Sequence, residues 1–271
     1  MKPLYYLLLF ISSFVWGQDF IIGKVLDEQG IELPYVNIGL VGKNIGTVSD
    51  EKGIFDLEMD TQNHLQDTLR FSMIGFGSKA FTVAEFLKRK EIEVVLEPSA
   101  TALEEVVLTT ERTDFKTKVL GNNTTSKLIV AAFTTNRLGN EMGFVVRGRK
   151  RPMILKKFNI SIAENDYGPI RFRVNFYNVE NELPKVNILK EPIYLNTDVT
   201  SGLVSLDLTP YEIVMDEDFF ISIEWIEDLG PGTLYFSGGF FGSPLIAREV
   251  SQGKWTKIGS ASVGMNVEVR Y

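Results

Sequence analysis

Short runs of alternating apolar and polar residues, separated by turns, extend along the first third of the chain. A two-residue period is typical of strands with one buried face. The runs that predict strands are residues 20–26, 35–40, 47–49, 54–57, 68–74, 92–96 and 103–108. One or two helical turns are expected at residues 84–90. Seven strands at this spacing predict a β-sandwich.

The rest of the chain continues the alternation in longer runs. Residues 158–162 and 170–176 alternate cleanly, which predicts that each strand has one buried and one solvent-facing side. Strands are predicted at residues 143–147, 153–163, 169–177, 188–195, 203–208, 219–225, 233–236, 245–250 and 263–270. Eight or nine such strands favour a two-sheet jelly roll. The predicted fold class is all-β, a seven-stranded sandwich followed by a jelly-roll-like sandwich.

The amino-terminal residues have the pattern of an export signal. Lys2 supplies a positive charge, residues 4–15 are apolar, and Val15 and Gly17 stand three and one positions before Gln18. This pattern predicts cleavage before Gln18 by a signal peptidase, which removes residues 1–17. A membrane anchor is the alternative, but a run of about 12 apolar residues is short for a span that needs about 20. The mature protein is expected to be periplasmic, outer-membrane-associated or extracellular, with no membrane span.

The first group of strands also resembles a known family. The resemblance is carried by Gly23-Lys24-Val25, Asp27, Gly30, residues 33–38, Gly46-Thr47, Ser49-Asp50, Gly53, Phe55, Leu69 and residues 71–76. Over about residues 20–98 the chain is similar to the carboxypeptidase-regulatory-like family. The resemblance implies a transthyretin-like β-sandwich that is an accessory module and not a catalyst. It also implies an exported envelope protein, since such modules precede the plug in many outer-membrane receptors driven by TonB.

These patterns predict four parts of the chain. They are a signal peptide at 1–17, the regulatory-like sandwich at 18–98, a linker with a strand at 99–120, and the jelly-roll-like sandwich at 121–271. In the linker, Glu104, Glu105, Val106 and Val107 resemble the receptor segment that includes the TonB-contacting stretch. One interpretation is a last sandwich strand followed by a connector. The other is an exposed strand that pairs with an energising partner by strand addition.

Composition and charge exclude several functions. The formal net charge of -7 argues against nucleic acid as a partner, because phosphate binding needs a cationic face. The absence of cysteine excludes disulfides, thiolate metal sites and a cysteine nucleophile. The single histidine, His64, lies in a polar loop, which leaves neither a zinc-peptidase site nor a serine–histidine pair. No catalytic residue, metal site or cofactor is therefore predicted.

The acidic residues of the second half offer one further route to catalysis. Glycoside hydrolysis needs two carboxyl groups at a fixed separation, one of them with a raised pKa. Residues 216–218 are acidic but have the pattern of a turn, and Glu224 alternates with Ile223 and Trp225. This alternation predicts that Trp225 is buried and that Glu224 faces solvent. The chain is predicted not to be an enzyme.

Two groups of residues are candidates for recognition. Phe240 and Phe241 lie between glycines, and they are either core residues or an exposed apolar surface for a partner such as a sugar ring. The candidate ligand-binding residues are Phe240, Phe241, Trp255 and Tyr211. The second group is a basic cluster, which is either a solvated hairpin tip or a contact for an acidic partner. Its members are Arg147, Arg149, Lys150 and Arg151.

The sequence predicts a non-catalytic exported accessory or binding protein of the cell envelope. In it the first sandwich is a scaffold or docking module, and the jelly roll carries recognition. The expected partner is an envelope protein or a glycan. Two alternatives remain, a carbohydrate-binding module of a polysaccharide-uptake or adhesion system and a component that contacts a TonB-type partner.

Overall fold

The computed structural model describes residues 19–90, 92–99, 115–148 and 152–271. Three predictions fall outside these residues. They concern the signal peptide at 1–17, the strand-addition segment with Glu104, Glu105, Val106 and Val107, and the basic residues Arg149, Lys150 and Arg151. Within the described ranges, no helix is both long and apolar enough to cross a membrane.

The first sandwich is built from two sheets. One has the order β4-β1-β7, with β1 antiparallel to β4 and parallel to β7. The other has the order β3-β2-β5-β6. The strands are β1 (Asp19–Asp27), β2 (Asn37–Leu40), β3 (Gly46–Val48), β4 (Ile54–Met59), β5 (Thr68–Ser72), β6 (Lys79–Thr82) and β7 (Glu93–Leu96).

Alternating side chains of these sheets form the first core. In β4, Phe55 and Leu57 are buried while Asp56 between them is exposed. Phe55 meets Phe71 of the facing sheet edge-on, with ring centroids 5.5 Å apart. One short helix, α1 (Val83–Phe86), closes the core with Phe86, and it begins with a capping box at Thr82. The predicted sandwich is confirmed.

The identity of one strand differs from the prediction. The sequence did not predict β6 (Lys79–Thr82), which is one of the seven described strands of this sandwich. The strand predicted at residues 103–108 lies outside the described residues. β6 lies at the edge of its sheet, and no residue in it is fully buried. An edge strand of this kind lacks the apolar alternation on which the prediction depends.

The second sandwich also has two sheets. The first, which we call the joint sheet, has the order β13-β12-β17-β10-β19-β20, and β14 also pairs with β12. Its strands are β10 (Glu141–Val146), β12 (Ile170–Glu180), β13 (Leu183–Asn187), β14 (Ile193–Thr197), β17 (Phe219–Trp225), β19 (Ile246–Arg248) and β20 (Thr256–Lys257).

The opposite sheet, the distal sheet, has the order β21-β18-β11-β22-β8. Its strands are β8 (Thr117–Gly121), β9 (Val130–Ala131), β11 (Met153–Asn165), β15 (Gly202–Asp207), β16 (Val214–Met215), β18 (Leu234–Phe240), β21 (Ala261–Val263) and β22 (Met265–Arg270). The long strand β11 pairs with β22 and β18 on one side and with β15 and β16 on the other, with register shifts that curl the sheet.

Aromatic rings fill the space between the two sheets. Phe133 and Phe172 contact each other, and each of them also contacts Trp225 and Phe236, with centroid distances from 5.4 to 6.2 Å. Trp225 is buried, as its alternation with Glu224 predicted. The all-β fold with two sandwiches is therefore confirmed.

The second sandwich includes residues that the sequence analysis placed in the linker. β8 pairs with β22 from Thr117 to Gly121. Every residue of β8 is at least partly exposed, because the strand lies at a sheet edge.

Candidate functional site

The face of the joint sheet that was expected to meet solvent is buried. Arg173 of β12, Glu224 of β17 and Glu141 of β10 are all inaccessible, and Glu224 has 0% of its surface exposed. The prediction that Glu224 faces solvent is wrong. The physical reason is that the first sandwich covers this face of the joint sheet. The polar residues that alternate with the core residues therefore lie in a contact between two folded domains.

Four charged residues form one row across the joint sheet. Arg173, Glu224, Glu141 and Arg248 are successive cross-strand neighbours on β12, β17, β10 and β19. Two guanidinium groups therefore enclose two carboxylates, and the row is balanced in charge. We call these four residues the ionic row.

Arg173 joins the ionic row to the first sandwich. Its Nε and Nη2 donate to Glu224 Oε2 at 2.9 and 2.8 Å. Its Nη1 donates to the backbone oxygen of Tyr35 at 2.6 Å, and Nη2 also donates to the side-chain oxygen of Asn37. A single buried guanidinium thus bonds both bodies of the molecule.

Neighbouring polar groups give the two carboxylates further interactions, although Glu224 Oε1 has no hydrogen-bond partner among the residues that the structure describes. Arg248 Nη2 lies 2.6 Å from Glu141 Oε2. The amide of Asn175 donates to Glu141 at 2.9 Å and to Glu224 at 2.8 Å, and the Ser222 hydroxyl donates to Glu141 at 2.5 Å. These groups are buried, and their bonds join neighbouring strands of the joint sheet.

Burial and neighbouring charges have opposite effects on the pKa values of the residues in the ionic row. Burial raises the pKa of Glu141, and Arg248 opposes that rise. Burial alone would lower the pKa of Arg173, but the Glu224 carboxylate outweighs it, so the pKa of Arg173 is raised. The pKa of Arg248 is likewise raised, chiefly by Glu141 acting against burial. Both arginines therefore remain charged, which the enclosed carboxylates require.

The contact extends on both sides of the ionic row. On one side the Tyr35 hydroxyl donates to Glu227 at 2.9 Å and accepts from Arg171 at 2.7 Å. On the other, the Gly42 amide donates to Gln252 at 2.9 Å and Asn44 donates to Glu249 at 3.0 Å. We call this whole contact the joint. It docks the first sandwich directly on the second.

Trp255 belongs to the edge of the joint. Its ring packs edge-on against Tyr177 and Phe220, with centroid distances of 5.7 and 5.1 Å. The Arg248 guanidinium lies 4.8 Å from the centroid of the same ring. Trp255 therefore covers the Arg248 end of the ionic row. Tyr211 packs against the core of the second sandwich, so the structure does not gather the four candidate aromatic residues into one surface.

Phe240 and Phe241, which we call the aromatic tip, end β18 in the distal sheet. Phe240 is 59% exposed and Phe241 is 89% exposed. Phe241 has a φ of 64°, a left-handed conformation that is rare for a bulky residue and costs about 1–3 kcal/mol. The next residue must be glycine, because a Cβ on Gly242 would overlap the side-chain oxygen of Asn122. The chain thus holds two phenyl rings outward on a strained, closely packed turn.

The remaining candidates have partners within the molecule. Arg147 pairs with Asp218 at 2.6 Å and with Glu182 at 2.9 Å. His64 contacts Asp67 at 2.5 Å beside a single 3-10 turn, and this contact lowers the pKa of Asp67. Among the described residues there is no group of three or more possible metal-ligating side chains.

Comparison with known proteins identifies the first sandwich. Residues 21–108 match the CarboxypepD_reg-like domain family. This part of the chain is a CarboxypepD_reg-like domain. The match agrees with the resemblance of residues 20–98 noted in the sequence.

A longer relative includes a region similar to this chain. TonB-dependent receptor P3 of Formosa agariphila is 31% identical over 121 residues, which cover 44% of this chain and 12% of the receptor. The chain therefore spans only a small part of that receptor's length. In fold, the chain has a TM-score of 0.39 to the cysteine protease and lectin-like domains of Cwp84, a surface layer associated protein of Clostridium difficile. That comparison covers 92% of this chain and 62% of the other, at 8% identity.

The residues that dock the CarboxypepD_reg-like domain were missed by sequence reasoning. Arg173, Glu224 and Glu141 lie on separate strands, up to 83 positions apart by their numbers, and only the strand order places them side by side. The alternation of these polar residues with apolar ones is the same pattern that a solvent-facing side gives, so it does not indicate burial.

Alkaline pH is expected to weaken the joint of the CarboxypepD_reg-like domain. Burial raises the pKa of Tyr35, with a contribution from Glu227, and burial raises the pKa of Tyr177 well above its usual 10.0. Above about pH 10 the unfolded chain loses these phenolic protons while the folded chain keeps them, so the free energy of unfolding falls as pH rises. Urea unfolding between about pH 8 and pH 11 should show a smaller decline for Tyr35→Phe. Identical declines for both proteins would contradict this assignment.

Proposed function

We propose that this chain is an exported, non-catalytic accessory protein of the cell envelope. The CarboxypepD_reg-like domain is its scaffold, and the second sandwich carries recognition at the aromatic tip. The similarity to a TonB-dependent receptor supports an envelope setting. The expected partner is an envelope component.

The observation that carries this proposal is the contrast between the joint and the aromatic tip. The four charged side chains of the ionic row are enclosed between the two sandwiches. Phe241, by contrast, is 89% exposed although it has an unfavourable backbone conformation. Strain that is maintained at an exposed position is typical of a binding feature. The geometry therefore favours a docked scaffold that presents an apolar contact over a catalyst.

Sedimentation with isolated envelopes of the producing bacterium tests this function. We expect the wild-type chain to sediment with the envelopes and the Phe240→Ser/Phe241→Ser variant to remain largely in the supernatant. Leu203→Ser is the matched control, because Leu203 is also 59% exposed but lies on β15, across β11 from β18. Sedimentation that is unchanged in the tip variant would refute recognition by the aromatic tip.

Two further measurements address the other parts of the proposal. Turnover of peptide or glycoside substrates by the purified chain would overturn the non-catalytic assignment. A glycan array tests the carbohydrate-binding alternative, for which Trp255 is the candidate residue. A glycan signal that Trp255→Ala abolishes would replace the aromatic tip with the edge of the joint as the recognition surface.

A further inference from the structure

Three segments meet around the aromatic tip, at one end of the distal sheet. The Phe241 amide donates to the oxygen of Ser260 at 3.3 Å, and the Gly238 amide donates to the oxygen of Ile129 at 2.8 Å. The Ser243 amide donates to the side-chain oxygen of Asn122 at 2.9 Å. Residues 122–131, 238–245 and 256–264 therefore form one hydrogen-bonded surface, which we call the apolar end.

The apolar end exposes large hydrophobic side chains from all three segments. Leu128 is 97% exposed and Phe241 is 89% exposed, so both project outward from the surface. The exposed large hydrophobic residues here are Leu128, Ile129, Val130, Phe240, Phe241 and Ile258. Single exposed apolar residues are ordinary, but a group on neighbouring, hydrogen-bonded segments marks an interaction surface.

The charge of the apolar end is opposite to that of the whole protein. The chain has a formal net charge of -7, yet these three segments contain two lysines, Lys127 and Lys257, and no acidic residue. Lys257 pairs with Glu182. Lys127 has no carboxylate within ion-pair distance in the part of the chain that the structure describes. Lys127 adjoins Leu128, the most exposed of the six apolar residues.

We propose that the apolar end docks on an anionic lipid bilayer, with Phe240, Phe241 and Leu128 entering the headgroup region and Lys127 meeting lipid phosphate. The proposal rests on the proposed function and names the partner of the same site. Projecting apolar side chains enter the boundary between headgroups and acyl chains, while an adjacent lysine keeps its ammonium group among the anionic headgroups. A flat, deformable surface accommodates outward-pointing rings, and negative lipid complements the local positive charge.

Co-sedimentation of the full chain with protein-free vesicles tests this inference. One set of vesicles contains phosphatidylcholine with phosphatidylglycerol, and the other contains phosphatidylcholine alone. We expect binding to the anionic set and weaker binding to the neutral set. Phe240→Ser/Phe241→Ser should lower the partition coefficient by roughly tenfold or more, because each ring loses its burial. Lys127→Glu should lower it by about fivefold or more on anionic vesicles, and Leu203→Ser should leave it unchanged.

The outcomes separate this inference from the proposed function. The wild-type chain could fail to bind anionic vesicles and still sediment with envelopes in a way that depends on the aromatic tip. That result would overturn the lipid partner and leave a protein or glycan as the target of the same site. Equal binding to both sets of vesicles, or equal losses in Leu203→Ser and the tip variant, would also overturn it. Near-ultraviolet circular dichroism of each variant checks the fold, and Leu128→Ser provides a second apolar substitution on a different segment.

Discussion

Glu224→Ala is expected to lower the free energy of unfolding by about 3–5 kcal/mol, because it leaves the Arg173 charge buried without its carboxylate. Arg173 and Glu224 are inaccessible, and the guanidinium is bonded to Glu224 through two nitrogen atoms. Removal of the carboxylate also leaves the Asn175 amide with one acceptor fewer. Urea unfolding at neutral pH, followed by tryptophan fluorescence, measures the loss.

The control for Glu224→Ala is an ion pair on the surface. Glu180 pairs with Lys185, and both side chains are more than half exposed. Glu180→Ala should therefore change the free energy of unfolding by no more than about 1 kcal/mol. A loss in Glu224→Ala that is as small as the loss in Glu180→Ala would mean that water reaches the ionic row. That result would remove the basis for a rigid joint.

The ionic row has a consequence for how the chain unfolds. Arg173 donates both to Glu224 within the joint sheet and to the backbone of Tyr35 in the first sandwich. Separation of the two sandwiches would therefore break the bonds from Arg173 to Tyr35 and Asn37. We infer that the two bodies unfold together in the wild-type chain. Glu224→Ala should weaken this coupling as well as the total stability.

The strands of both sandwiches were predictable because their buried sides are apolar. Phe55 and Leu57 in β4, or Phe172 and Phe176 in β12, alternate with polar residues, and this period is set by the geometry of the strand itself. Edge strands were less predictable. In β6 and β8 partial exposure lets charged residues such as Lys79 and Lys118 occur, and the alternation is lost.

The joint was not predictable from alternation, because alternation separates two sides of a strand and does not say what covers each side. Glu224 and Asn175 are polar in sequence and inaccessible in the fold. Their burial is favourable only because they have partners on other strands: Arg173 donates to Glu224, and the Asn175 amide donates to Glu224 and Glu141. The exposure of Phe240 and Phe241 stayed open at the level of sequence, since the glycines on both sides indicate an irregular turn but do not say whether the rings are buried.

Gly46→Ala is expected to separate the two sandwiches and to lower the free energy of unfolding by about 1–3 kcal/mol, as other overpacked contacts do. A Cβ on Gly46 would overlap the Ser251 backbone oxygen, and a Cβ on the paired Gly39 would lie 2.5 Å from the same atom. A backbone atom cannot move aside as the end of a side chain can, so one sandwich must shift. Urea unfolding measures the loss, and small-angle X-ray scattering should show a larger radius of gyration.

Gly77→Ala is the matched control for this prediction, because its Cβ would meet the Glu97 oxygen at 3.6 Å, an ordinary contact away from the joint. The control should keep the wild-type radius of gyration and a single unfolding transition. Gly46→Ala should show a second transition. The reason is that Arg173 of the second sandwich would no longer donate to Tyr35 and Asn37 of a displaced first sandwich. A single transition and an unchanged radius in Gly46→Ala would mean that the joint tolerates an added methyl group. In that case the close approach of the Gly46 and Ser251 backbones would not fix the second sandwich, and with it the aromatic tip, relative to the first sandwich.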